Sequence, residues 1–129
     1  MIRCCYRLLA HVLLLSLAVG CGGNAPSKDE IDQGRKAVET FLASWKQGDT
    51  PGKLKGHSIL VDDPDWTGGM KLLDFQITGT ESDHPTNPRF RVKLKLKDED
   101  GPQSEKDVVY ETNARKDSGK VLVARDPFF

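Results

Sequence analysis

Nine residues, Arg89-Phe-Arg-Val-Lys-Leu-Lys-Leu-Lys97, alternate between apolar and basic without a fault. Side chains of a strand point to opposite faces in turn. Phe90, Val92, Leu94 and Leu96 therefore share one face, and Arg89, Arg91, Lys93, Lys95 and Lys97 share the other. One apolar face must be covered by another layer of the protein, which limits the chain to folds in which a sheet meets a helix or a second sheet.

A helix is the covering layer the sequence offers. Ser27-Lys28-Asp29-Glu30 reads as a capping box, with the Ser27 hydroxyl accepting from the Glu30 N–H and the Glu30 carboxylate accepting from the Ser27 N–H. Ile31, Val38, Phe41, Leu42 and Trp45 follow at helical spacing on one face. Gln47-Gly48-Asp49 ends the helix, because Gly48 adopts the left-handed conformation without a Cβ clash. Thr50-Pro51 predicts a second start, with Thr50 as cap and Pro51 at the first helical position, running through Leu54 until Gly56.

From His57 onward the period is two. Ser58 to Val61 predicts an edge strand that runs into Asp62-Asp63-Pro64-Asp65-Trp66, where Pro64 bars ladder bonding. Met70 to Thr78 predicts a strand whose alternation holds from Leu73 through Phe75 and Ile77. Asp107 to Ala114 follows a polar loop, Asp98 to Lys106, and sends Val108, Tyr110 and Thr112 inward. A register of Lys97 opposite Asp107 would set Lys93 against Glu111. Lys120 to Arg125, reached through Asp117-Ser118-Gly119, is the last strand and carries Val121, Leu122 and Val123. The expected fold class is α+β, with one long N-terminal helix packed on a twisted antiparallel sheet of four or five strands.

The first twenty residues are of another kind. Arg3 and Arg7 make a positive start, Leu8 to Val19 is apolar apart from His11 and Ser16, and small Gly20 precedes Cys21. The apolar run, about 12 residues, is short of the roughly 20 that a membrane-spanning helix needs. Ala18-Val19-Gly20-Cys21 resembles the lipobox of bacterial lipoprotein signals, with Ala18 where Leu is usual. The resemblance implies lipidation of Cys21 and cleavage before it, against the simpler reading of an ordinary cleaved signal with an incidental cysteine. Residues 1–20 are then the signal, 21–26 a lipidated tether and 27–129 a single domain, and the protein is expected at the cell membrane or outer membrane, held by lipid.

That processing would discard Cys4 and Cys5 and consume the Cys21 thiol, which leaves no cysteine for a disulfide, a metal or a nucleophile. It would also remove Arg3 and Arg7, so that 19 basic and 19 acidic residues become 17 and 19. Such a balance offers no electrostatic footprint for nucleic acid.

The remaining chain has few clusters of chemical groups. Asp62, Asp63 and Asp65 stand together, but a calcium loop starting at Asp62 would need Gly at its sixth position and Glu at its twelfth, where Thr67 and Leu73 stand. A solvated turn with Asp65 as a cap is the favoured reading. His57 and His84 lack an evident acid–base partner, and the chain shows no His, Cys and carboxylate spacing typical of zinc, so no cofactor is expected. Gly68-Gly69 lacks the spacing of a phosphate loop. Trp66 and Pro127-Phe128-Phe129 are read as packing groups. The basic row Arg89, Arg91, Lys93, Lys95 and Lys97 is the candidate interaction surface, for an envelope protein, a polymer or anionic headgroups, against the simpler reading of a solvent face.

Ala37-Val-Glu-Thr-Phe-Leu-Ala-Ser-Trp-Lys-Gln-Gly48, the Thr50-Pro51 turn, Val61-Asp-Asp-Pro-Asp-Trp66 and Val121-Leu-Val-Ala-Arg125 together resemble small bacterial lipoproteins with a cystatin-like or nuclear-transport-factor-like domain. The resemblance implies a helix gripped by a curved antiparallel sheet. The Asp/His pair of that fold's enzyme branches has no counterpart that the sequence can place. The reading is a non-catalytic, lipid-anchored interaction module. Its alternative is a small-molecule binder or enzyme, which would show a cavity of roughly several hundred Å³ with His57 or His84 beside an Asp.

Overall fold

The computed structural model describes residues 25–81, 86–115 and 117–129. The expected signal, Cys21 and His84 lie outside the described residues. The order of elements is α1 (Lys28–Lys46), a 3₁₀ turn (Pro51–His57), β1 (Ile59–Asp62), a short α2 (Pro64–Thr67), β2 (Lys71–Glu81), β3 (Arg89–Lys97), β4 (Gln103–Ala114) and β5 (Val121–Arg125).

Helix α1 starts at the capping box, with Ser27 and Glu30 exchanging both hydrogen bonds at 3.2 Å. It ends as Gly48 turns to φ 88°. Its buried face holds Ala37, Val38, Phe41, Leu42 and Trp45, together with Gly34. Gly34 serves close approach: a Cβ there would meet the Thr112 Oγ1 of β4 at 2.2 Å. The helix can lie against the sheet at this point because the position has no side chain. The 3₁₀ turn outlasts expectation, running through Gly56 to His57, and Thr50 makes no side-chain cap to it. It stops where Ser58 takes a left-handed φ of 58°.

The fold is α+β, with α1 packed on one five-stranded sheet of order β1-β5-β4-β3-β2. The expectation of an antiparallel sheet needs correction, since β1 pairs with β5 in parallel and the sheet is mixed. A parallel neighbour requires a long connection, and here the whole run from α2 to β4 supplies it. Local alternation marks a strand but carries no information on which distant strand lies beside it.

The register between β3 and β4 also differs from expectation. Lys97 pairs with Gln103, Lys95 with Glu105, Lys93 with Asp107 and Arg89 with Glu111. The expected register is four residues off because β4 begins at Gln103, not Asp107, on a shorter loop. An even shift keeps each side chain on its expected face. Val108, Tyr110 and Thr112 are accordingly buried against the helix.

In β2 the two adjacent leucines are accommodated by an irregularity between Leu72 and Asp74. Leu72 faces Leu96, Phe75 faces Leu94 and Ile77 faces Val92, so both halves of the strand meet the apolar row of β3. The strand continues to Glu81, past its expected end at Thr78. The interior is filled. Phe41, Leu42, Phe90, Leu94, Leu96 and Tyr110 are all at 0% exposure.

Candidate functional site

Among the described residues the helix-facing side of the sheet is uncharged except where β4 and β5 pass beneath α2. Arg125 follows Val121 and Val123 in the inward register of β5 and pairs with Tyr110, while Lys106 precedes Val108 and Tyr110 in the inward register of β4. Charge directed toward a core needs a partner of opposite sign. The acidic segment supplies it.

Asp63 is the centre of this cluster and is 2% exposed. Its Oδ1 accepts from the N–H groups of Asp65 and Trp66 at 2.9 and 3.1 Å, which caps α2. Its Oδ2 accepts from the Tyr110 hydroxyl, and from Arg125 Nη2 at 2.8 Å. Asp65 accepts from Arg125 Nη1, and from Lys106 Nζ at 2.9 Å. The expected solvated turn with Asp65 as cap is therefore corrected on both counts: the cap is Asp63, and it is buried. Pro64 at the first helical position and the Asp63 side chain set the turn, and Trp66 follows into the core.

The electrostatics match this geometry. Burial pushes the Tyr110 phenol well above its ordinary range, and neighbouring Asp63 adds to the effect. Burial acts to raise Asp65, but hydrogen bonds from Arg125 and Lys106 outweigh it and hold that carboxyl below its usual value. For Arg125, burial acts to lower the pKa and is outweighed by Tyr110, Asp65 and Asp63, so the guanidinium stays charged. Two carboxylates, two cations and a protonated phenol hold one another in place. The arrangement can fasten α2 to β4 and β5, and both Asp63 oxygens and Asp65 Oδ2 are committed to the protein's own donors. Among the described residues no cluster of three or more His, Cys, Asp or Glu side chains is arranged to hold a metal.

Trp66 packs at 5.6 Å from Phe41 and 5.9 Å from Trp45, and its Nε1 donates to the Asp49 carbonyl at 2.9 Å. The tail is different. Phe128 is 97% exposed, and Phe129 lies beneath the Arg91 guanidinium at 5.2 Å.

The basic row occupies the outer face of the sheet, as its alternation requires. Arg89 contacts Glu81 and Asp126, and Arg91 contacts Glu81 at 2.7 Å. Lys93, Lys95 and Lys97 are exposed. Among the described residues none of the three is in an ion pair. Their cross-strand neighbours are nevertheless acidic in part: Asp107 beside Lys93, and Glu105 and Asp74 on either side of Lys95. The face thus presents a central line of cations between two lines containing carboxylates. Sequence periodicity showed the central line and an acid from β4 beside part of it; the pairing replaced Glu111 by Asp107 beside Lys93 and added Glu105 and Asp74 beside Lys95.

His57 is exposed at the mouth of a cavity of about 330 Å³ lined also by Gln33, Lys36, Thr40, Ser58 and Gly119. Among the described residues no carboxylate lines it. A larger groove of about 410 Å³ lies at the end of α1, between Trp45, Pro51, Trp66, Met70 and Leu73. Both indole N–H groups there are already bonded, that of Trp45 to the Met70 carbonyl at 2.7 Å.

Fold and site define an α+β domain with a long helix on a mixed sheet, pinned by a buried Asp–Tyr–Arg cluster. No protein-family model matches the chain, and neither curated proteins nor solved structures yield a match.

Proposed function

We propose that this chain is a cell-envelope lipoprotein, anchored through lipid on Cys21, whose cystatin-like or nuclear-transport-factor-like domain is a non-catalytic interaction module. The observation that carries the reading is the filled core between the middle of α1 and the sheet; of the two openings left between helix and sheet, about 230 Å³ beside Gly34 and Thr112 and about 330 Å³ beside His57, neither sets a His beside an Asp among the described residues. Phe41, Leu42, Trp45, Phe90, Leu94 and Tyr110 occupy that core at 2% exposure or less. The outer sheet face supports the same reading, since Lys93, Lys95 and Lys97 stand open, with Asp107 beside Lys93 and with Glu105 and Asp74 on either side of Lys95. Alternating lines of charge favour a protein surface of complementary pattern over a uniformly anionic polymer. Among the described residues no helix is long and apolar enough to cross a membrane, and stable anchoring by lipid takes at least two chains, which lipoprotein processing would supply.

The test has two parts. Cys21→Ser should leave an uncleaved precursor without acyl mass in mass spectrometry; ordinary cleavage of that variant to an unchanged mature mass would exclude the lipid anchor. Cross-linking of the native protein in its membrane should capture a discrete envelope protein, and changing Lys93, Lys95 and Lys97 to Gln should weaken that capture as salt does. Capture that ignores both the substitutions and salt would remove the sheet face from the function.

A further inference from the structure

We infer that the free edge of β2 pairs with the β2 edge of a second copy of this chain, antiparallel and centred on Gln76, joining two five-stranded sheets into one. The inference is independent of the lipid anchor. The two edges of the sheet are unequal: β1 has four residues, whereas β2 has 11 and pairs only with β3. Proline, the usual block to edge pairing, is missing from β2. Among the described residues no other backbone group bonds to it.

The strand is complementary to itself. About a dyad at Gln76, Lys71 lies opposite Glu81 of the second copy, Phe75 opposite Ile77, and Gln76 opposite Gln76. The faces agree. Lys71, Gln76 and Glu81 pair with Lys97, Lys93 and Arg89 on the outer side, while Phe75 and Ile77 pair with Leu94 and Val92 on the helix side. Both Phe75 and Ile77 are only partly buried in the single chain, so the neighbouring strand would cover them.

Charge fixes this register over its neighbours. At one end of β2, Lys71 faces Lys97, and neither is in an ion pair among the described residues. At the other end Glu81, Glu111 and Asp126 surround Arg89 and Arg91, an excess of carboxylate. The dyad brings the basic end of one copy to the acidic end of the other. Moving its centre by one residue sets Lys71 against Gly79 or leaves Glu81 opposite Leu73. In the proposed register no two like charges meet, since Asp74, paired with Lys46 at 3.2 Å, falls opposite Thr78. The two irregularities of β2, between Leu72 and Asp74 and between Ile77 and Gly79, leave the central pairs free of a break.

Directly opposed residues of antiparallel strands have Cα atoms roughly 4.5–5.5 Å apart, within reach of a disulfide. Full-length protein carrying Gln76→Cys, in detergent micelles under mild oxidant, should form a disulfide-linked pair. Gln103→Cys, exposed at the start of β4, and the unchanged chain serve as controls. Gln76→Glu places a carboxylate near Lys93 within each copy but sets two carboxylates against each other across the dyad. It should weaken self-association, measured by sedimentation, roughly two- to fivefold. The inference is overturned if Gln76→Cys cross-links no more than Gln103→Cys, if it links to a different protein, or if Gln76→Glu leaves self-association unchanged.

Discussion

Arg125, near the end of the chain, donates from Nη2 to Asp63 Oδ2 at 2.8 Å, across 62 positions of sequence. The carboxylate is fully enclosed and the guanidinium nearly so, with side-chain exposures of 0% and 11%. This one contact ties the last strand to the cap of α2, and with Tyr110 it joins three elements that sequence order keeps apart.

Breaking that pair from one side should be costly. Asp63→Asn keeps an acceptor for the cap but leaves the Arg125 charge without its buried partner, and we expect a loss of about 3–5 kcal/mol. Tyr110→Phe removes only a hydroxyl and should cost about 1 kcal/mol. Urea unfolding of the three proteins checks the order, which fails if Tyr110→Phe is the more damaging.

Acid should weaken the fold through Asp65. Its carboxyl sits below the ordinary value in the folded chain, so near pH 4 the unfolded chain binds more protons than the native one. The contribution is present above the unfolded pKa and is lost as pH falls through the folded one. Thermal midpoints should therefore hold from pH 7 to about 5 and fall below about 4. Asp65→Asn should flatten that acid limb, and an unchanged slope would place the sensitivity elsewhere.

Gly34→Ala tests the contact between α1 and β4. In a free helix the change is favourable by about 1 kcal/mol. Here the new Cβ falls 2.2 Å from Thr112 Oγ1, and overpacking should make the change destabilising by about 1–3 kcal/mol. Thr112→Ala in the same chain removes the obstructing oxygen and should restore part of the loss. Additive losses in the double variant would contradict the steric account.

Phe41 is the common neighbour of the aromatic cluster, 5.0 Å from Tyr110, 5.6 Å from Trp66 and 6.4 Å from Trp45. Phe41→Ala should cost about 3–5 kcal/mol in denaturant unfolding. A loss below 1 kcal/mol would mean that the core collapses around the gap.

Much of the fold was legible because its cues are local. The Ser27 and Glu30 box, Gly48 and the spacing of Val38, Phe41, Leu42 and Trp45 act within a few residues of one another. So does the alternation of Arg89 to Lys97. The Asp63 cluster left a weaker trace: Lys106 and Arg125 occupy inward positions in otherwise apolar strand registers, and such charges call for buried acids. The acidic triplet was visible as well. Matching the two required knowing that β4 and β5 pass beneath α2.

The sequence by itself determined the class of the domain, the faces of its helix and strands and the positions of its breaks, since these follow from periods of 3.6 and 2 and from capping and turn chemistry. Tertiary structure alone decided the parallel place of β1 beside β5, the start of β4 at Gln103, the enclosure of Asp63 and which acids flank the basic row. These are pairings between distant segments, chosen by the mutual burial of apolar faces and the matching of charge. No short window of sequence contains both members of such a pair.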